Sequence, residues 1–235
     1  MSSATSNRYK ALLSLCYREG IRNGKVTINP ARLVRQRKEP RGRSRFLSRE
    51  EYNNLIAVLQ EKYPEHVSEV IISVNTGMRL NEQFSTNWGQ VHLDRKTIEL
   101  TFTKNDSPRT VRLNPDAIAA LKIIQPRKHK SSDRVFPRDT KLADIRPWFY
   151  PACTEAGIVG YVWHCNRHTF CSWLAMARAT TKEIQEAAGH KMIVTAARYS
   201  HLSPQHTQSV VDRISSTASL KHKILKAIKT ATNMK

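Results

Sequence analysis

Acidic residues are scarce in this sequence. Of 235 residues, 19 are Asp or Glu and 39 are Lys or Arg, which leaves a formal net charge of +20. That imbalance predicts attraction to polyanions, with DNA or RNA first and an anionic membrane surface second. No apolar run approaches the roughly 18 residues of a membrane span, so no membrane partner is expected. Met1–Lys10 holds no apolar stretch of the signal-peptide kind, so secretion is not expected either. No CxxC pair occurs among Cys16, Cys153, Cys165 and Cys171, which reads as reduced, buried thiols of an intracellular protein. There is no carboxylate cluster suited to magnesium and no glycine-rich phosphate loop, which disfavours a metal nuclease or an NTPase. Internal repeats and low-complexity tracts are also lacking. Hydrophobic residues make up 40% of the chain, enough for a core, so a wholly disordered basic protein is excluded.

The segment Asn7–Arg18 places Leu12, Leu13, Cys16 and Tyr17 on one helical stripe, and so short a helix must pack on something to persist. Arg32–Arg49 then carries eight basic residues against one acid, Glu39, with Pro40 and Gly42 among them. It reads as a linker, either a solvated tether or one that lies along phosphates through residues such as Arg41, Arg43 and Arg45. Near Phe46 the main domain begins. Ser48 and Glu51 form a capping box ahead of the stripe Tyr52, Leu55, Ile56 and Leu59. A helix over Val67–Val74 ends at Gly77, a C-terminal cap. Strand-like alternation over Thr97–Phe102 and Thr110–Leu113, around the turn cluster Asn105–Pro108, predicts a hairpin with a short third strand nearby. Helices return at Asn114–Pro115, at Thr181–Ala188 closed by Gly189, and at Ser203–Pro204. The expected class is α+β, mainly helical with one small antiparallel sheet. In the tail Leu220–Lys235, Leu220, Ile224, Leu225 and Ile228 share a face ringed by lysines, read either as a fraying terminal helix or as one docking on a neighbouring protomer.

Four stretches could carry chemistry: Thr76–Glu82 (TGMRLNE), Thr103–Arg109 (TKNDSPR), Trp163–Trp173 (WHCNRHTFCSW) and Gly189–Leu202 (GHKMIVTAARYSHL). His-x-x-Arg occurs at His92–Arg95, in a polar turn, and again at His164–Arg167, at the start of a helix where an anion is favoured. Together the stretches supply two arginines from separate elements, a lysine on a hairpin tip, two histidines and a tyrosine. Such a set suits a phosphodiester. Arginine's planar fork holds two oxygens at once, lysine can deliver a proton, and histidine donates or accepts near neutrality. Tyrosine, with a free pKa of about 10, attacks only from a cationic site equipped with a base.

From Phe46 to Ile214 these landmarks, in this order, resemble the tyrosine recombinases, or phage-type integrases. The likeness extends back to Asn7, where the sequence is similar to the end of that family's DNA-clamping N-terminal domain. The resemblance implies that Arg79 is the first catalytic arginine and Glu82 its supporting acid. It makes Lys104 the hairpin lysine, His164 and Arg167 the histidine–arginine pair, His190 the next histidine and Tyr199 the nucleophile. The implied reaction is site-specific DNA strand cleavage and rejoining through a 3′-phosphotyrosine, with no metal, ATP or other cofactor. Lys104 would protonate the leaving oxygen, and His164 would assist proton traffic at Tyr199. The implied partner is double-stranded DNA, bound as a homo-tetramer on paired sites, in the cytoplasm at the nucleoid. The chain divides accordingly into the end of a clamp domain (1–31) that is mostly missing, a basic linker (32–45), a catalytic domain (46–214) and a basic helical tail (215–235).

Cys165 and Asn166 stand where the family commonly has an acid and then Leu, and Met176–Thr181 replaces a more usual glycine-containing turn. Blander readings exist for several of these residues. His164 and His168 could ligate zinc with Cys165 or Cys171, although no second ligand pair lies at the right spacing. Trp148, Trp163 and Trp173 read as core, and Glu82 could be a plain surface acid. Two other functions compete: a type IB topoisomerase-like relaxing activity, and a catalytically silent DNA-binding remnant.

Overall fold

The computed structural model describes residues 1–39, 45–100, 108–136 and 142–202. Lys104, Arg41, Arg43 and everything beyond Leu202, including the basic tail, lie outside the described residues. The chain forms two compact units, Met1–Ser44 and Arg45–Lys235.

In the first unit a single helix, α1 (Ser3–Arg22), extends beyond the stripe read from the sequence at both ends. Ser2 caps it by accepting the Thr5 N–H at 3.1 Å. Asn7 is the buried polar residue of the helix. Its amide donates to the Arg37 carbonyl and to Glu39, and its carbonyl accepts the Arg37 N–H, all at 2.8 Å. These bonds bring the segment ahead of Pro40 back along α1. Leu12, Leu13 and Leu15 remain exposed, so the apolar stripe is not consumed inside this unit.

The second unit opens with Leu47 and α2 (Arg49–Lys62), whose capping box of Ser48 and Glu51 forms as the spacing predicts. Leu55 and Leu59 of α2 are fully buried, each contributing roughly 1.5–3 kcal/mol by burial. α3 (Val67–Thr76) is buried almost all round and packs against the helices Pro115–Ile124 and Cys165–Met176. It stops at Gly77, in the left-handed conformation (φ +61°) that glycine adopts without strain. A short helix, α4 (Leu80–Phe84), follows directly.

The sheet has the order β1–β2–β3, antiparallel throughout: β1 (Val91–His92), β2 (Thr97–Leu100) and β3 (Arg109–Arg112). Ile98 pairs with Val91 on one side and Val111 on the other, and Leu100 pairs with Arg109. Ile98, Leu100 and Val111 point into the core, the alternation expected of a half-buried sheet. α5 (Pro115–Ile124), capped by Asn114, packs on α3, and the Asn114 amide donates to Asn75 at 2.7 Å. α6 (Leu142–Glu155) brings Trp148 and Phe149 into an aromatic layer with Trp163, and Trp148 stacks on His66 at 3.9 Å. Trp148 and Trp163 are thus core, as expected, and Trp88 is buried too.

α7 (Cys165–Met176), α8 (Thr181–Ala188) and α9 (Ile193–Ala197) enclose a smaller core of Cys171, Ala175, Ile184, Ala188, Ala196 and Tyr199. The unit is mainly helical with one small antiparallel sheet. Asn166 accounts for its own departure from the family pattern. Fully buried, it donates to Ser73 on α3 at 3.1 Å and accepts the Tyr161 hydroxyl at 2.7 Å, tying α7 to the core.

Candidate active site

The Gly77 turn sets out both arginines. Arg79 is the N-cap residue of α4, where Glu82 closes a reciprocal cap: Glu82 Oε2 accepts the Arg79 backbone N–H at 2.9 Å, and Oε1 accepts Arg79 Nη1 at 2.6 Å. Two residues back, the Gly77 carbonyl accepts Arg167 Nη1 at 2.7 Å. A Cβ on Gly77 would collide with the Phe170 ring of α7, so glycine is what allows the α3–α4 turn to press against the helix bearing Arg167.

Arg167 is 3% exposed, and its Nη2 has no hydrogen-bond partner among the described residues. Burial, then the nearby Arg79 charge, pulls its pKa down from 12.5 to about 10. A buried guanidinium with a spare donor beside a second guanidinium has the chemistry to hold an anion.

His164 precedes α7 and His168 lies one turn further on, their rings edge-to-face at 5.1 Å. Burial, then the Arg167 and Arg79 charges, lowers the pKa of His164. His190 follows the Gly189 cap of α8, where its N–H donates to the Gln185 carbonyl at 2.9 Å and its own carbonyl accepts the Gln185 amide at 3.2 Å. The ring Nδ1 of His190 is buried without a partner among the described residues, and burial followed by the charges of Arg167 and Arg79 takes its pKa to about 4.

Tyr199 is 1% exposed. With His168 neutral, its pKa taken to about 4 by burial and then by His164, Arg198 and Arg167, Nδ1 accepts the Tyr199 hydroxyl at 2.5 Å. The Cys171 thiol bonds the same hydroxyl, and burial, reinforced by Cys171, raises the tyrosine pKa. The phenol is therefore held protonated.

The structure thus brings together Arg79, Glu82, His164, Arg167, His190 and Tyr199, which come from four places: the start of α4, the start of α7, the turn after α8 and the segment after α9. The partner on the Tyr199 hydroxyl is His168, whose place in the HxxRH stretch had suggested only a zinc reading; among the described residues no group of three or more His, Cys, Asp or Glu is placed to hold a metal ion. A further residue with no sequence reading of its own is Arg109, at the start of β3. Its Nη2 donates to Glu82 Oε2 at 2.7 Å, so that Glu82 serves two arginines. Burial pushes the Glu82 carboxyl up, but the Arg109 charge, the Arg79 N–H and both guanidinium bonds outweigh it, leaving the pKa below the ordinary carboxylate value. Arg45, read as a phosphate contact, is otherwise engaged: its guanidinium pairs with Glu51 and donates to the backbone carbonyls of Phe46 and Val159.

Comparison with known proteins places this geometry. A model of the phage integrase family matches residues 45–206, more than half of the chain and beginning where the second unit begins. The chain is 28% identical to the integrase of Salmonella phage P22 over 217 residues, covering 86% of this chain and 55% of that protein. It is 27% identical to the tyrosine recombinase XerC of Xanthomonas axonopodis pv. citri (strain 306), covering 82% of this chain and 65% of that protein. It therefore spans roughly half to two thirds of the length of these relatives. The catalytic domain of bacteriophage HP1 integrase superposes with a TM-score of 0.58 at 28% identity, covering 71% of this chain and 93% of that one. The Tn1549 transposon integrase, solved in complex with transposon right end DNA, has a TM-score of 0.73 at 16% identity over 92% of this chain and 81% of that one, a likeness of fold. With the family match spanning every described residue of the cluster from Arg79 to Tyr199, the chain belongs to the phage integrase family.

Proposed function

We propose that this chain is a site-specific DNA recombinase, or its catalytic part, which breaks and rejoins strands through a 3′-phosphotyrosine at Tyr199. The observation that carries the reading is the pair of idle buried nitrogens, Arg167 Nη2 and His190 Nδ1, in a cluster with Arg79. A phosphodiester would give both atoms the partner they lack. Its arrival would also raise the lowered pKa values of His164, His168 and His190 by bringing negative charge to a site dominated by cations.

In this mechanism the Tyr199 oxygen forms a bond to phosphorus as the bond from phosphorus to the 5′ oxygen breaks. The phenolic proton leaves to a histidine: His168 already accepts it in a hydrogen bond, and His164 lies beside His168. Arg79, Arg167 and His190 stabilise the charge of the pentavalent transition state, as preorganised donors do. Lys104 delivers the proton to the departing 5′ oxygen. A 5′ hydroxyl from another strand reverses the step, and the covalent adduct conserves the bond energy, so no ATP is required. Because Tyr199 is covered, the phosphate meets its hydroxyl only once that cover opens, with the His168 bond kept for the proton, which keeps the nucleophile silent in the free chain.

The test is covalent trapping on a pool of nicked duplexes whose short cleaved fragment diffuses away. The wild-type chain is expected to give an adduct that survives denaturing electrophoresis and EDTA, and Tyr199→Phe none. An adduct undiminished in Tyr199→Phe, or one that requires magnesium, refutes the mechanism. A homo-tetramer on two paired DNA sites, taken from the resemblance to the family, is part of the same proposal.

A further inference from the structure

Arg109 reaches two separate parts of the site. From the start of β3 its Nη2 bonds Glu82 Oε2 at 2.7 Å, and Glu82 in turn holds Arg79 by backbone and side chain. Its Nη1 reaches the Ala187 carbonyl, in the last turn of α8, at 3.5 Å. The rest of the guanidinium lies against Gly189, where an added Cβ would come within 2.6 Å of Cδ, 2.8 Å of Nε and 2.9 Å of Nη1. Gly189 is left-handed (φ +65°) and His190 is the next residue. One side chain therefore spans the start of α4, with Arg79, and the end of α8, with His190, from a strand that begins five residues after Lys104.

The arginine is not placed to hold substrate itself. Its side chain is 13% exposed, Nη2 and Nη1 are committed to Glu82 and the Ala187 carbonyl, and the Nε that has no partner among the described residues is buried against the Gly189 turn. Glu82 is 4% exposed, and removing one of its two cations would leave a buried carboxylate half-compensated. A planar fork of fixed geometry can grip a carboxylate and a carbonyl on different elements at once, which a lysine ammonium cannot do with the same reach.

We infer that Arg109 is a positioning residue that fixes Arg79 and His190 relative to each other, by clamping Glu82 and the Gly189 turn to the root of the hairpin. The inference rests on the strand-cleaving reading for its effect on rate, but the clamp itself can be tested separately. Misplacing transition-state donors by about an ångström costs about 100-fold.

The experiment uses the full chain with Arg109→Ala, Arg109→Lys and Gly189→Ala, beside wild type and Tyr199→Phe. Three quantities are read: the rate of adduct formation on the nicked-duplex pool, affinity for a random duplex, and carbon-detected NMR titration of the Glu82 carboxyl with the His190 ring signals. Arg109→Ala is expected to slow adduct formation about 100-fold with duplex affinity within about twofold, to raise the Glu82 pKa and to shift the His190 signals. Arg109→Lys keeps the charge, so the Glu82 titration returns toward wild type while the rate stays at least about tenfold low. Gly189→Ala leaves both arginines and Glu82 present yet slows the reaction by displacing the guanidinium. Should Arg109→Ala not fold, the other two variants carry the test.

Full rescue of the rate by lysine would overturn the clamp in favour of simple charge compensation, and so would an Arg109→Ala rate within about twofold of wild type. If wild type itself gives no adduct, the strand-cleaving reading fails. In that case a Glu82 titration and His190 signals unmoved in Arg109→Ala overturn the clamp as well, and shifted ones sustain it.

Discussion

Replacing Arg167 with methionine separates a residue kept for chemistry from one kept for stability. The fall of its pKa from 12.5 to about 10 means that the folded chain holds this charge about 3 kcal/mol less comfortably than water does. Burial is the main cause, and the like charges of Arg79 and Arg109 add to it. Against that stands the bond from Nη1 to the Gly77 carbonyl, 2.7 Å long and charge-assisted, worth roughly 1.5–3 kcal/mol. The two effects nearly cancel, so methionine, similar in length and free of charge, should change stability by no more than about 1 kcal/mol, or about 2–4 °C in melting temperature for a chain of this size. The reaction should respond quite differently. Losing one preorganised donor to the transition state costs about 10²–10³ in rate. Calorimetry paired with the nicked-duplex trapping assay reads both numbers. Added sulfate, which binds the folded anion site only, should raise the wild-type melting temperature more than that of the variant. A melting temperature lowered by about 10 °C, or a rate within about tenfold of wild type, would refute this reasoning and make Arg167 a structural residue.

Tyr199→Phe removes the hydroxyl shared by His168 and Cys171, so adduct formation should vanish while the melting temperature, by calorimetry, shifts by no more than about 1 kcal/mol equivalent. Both His168 and His190 have folded pKa values of about 4, below the ordinary 6.5, so between those values the unfolded chain binds more protons. Stability contributed by the neutral rings is present above about pH 6.5 and lost as pH falls toward 4; melting temperatures across that range should drop, and His168→Gln with His190→Gln should flatten the slope. A slope unchanged in the double variant would contradict the assignment. Gly77→Ala imposes a left-handed alanine and a clash with Phe170 at the turn between the two arginines, and should lower stability by at least about 1 kcal/mol in denaturant titration while also slowing adduct formation.

How much of this was written in the sequence depends on the distance over which each feature acts. Caps and turns are decided by residues within about one helical turn. The Ser48–Glu51 box, the Gly77 and Gly189 stops, the Asn114 cap and the alternation of the two strands could therefore all be read directly, with errors of a residue or two at element ends. The box over Thr180 and Glu183 followed the same rule and passed unread because Met176–Thr181 looked like a departure from the family turn. The motif order supplied Arg79, Glu82, His164, Arg167, His190 and Tyr199, because each sits in a short stretch whose spacing survives on its own.

The pairings between stretches were another matter. Arg109 meets Glu82 across 27 residues, and His168 meets Tyr199 across 31. Nothing local marks either one: Arg109 is a basic residue in a basic chain, and His168 sits on a helix where its companion His164 had already drawn the functional reading. Likewise the linker arginine Arg45 turned out to be bound to Glu51 and to backbone carbonyls, a choice made by packing and not by charge count. Composition and short-range spacing settled the helical character and the small sheet, since propensity and capping act within a few residues, whereas the candidate site residues came from the resemblance to the family. Tertiary structure alone decided which arginine braces Glu82, which histidine bonds the Tyr199 hydroxyl and that Tyr199 is covered, because burial and partnership exist only once distant segments share one low-dielectric interior.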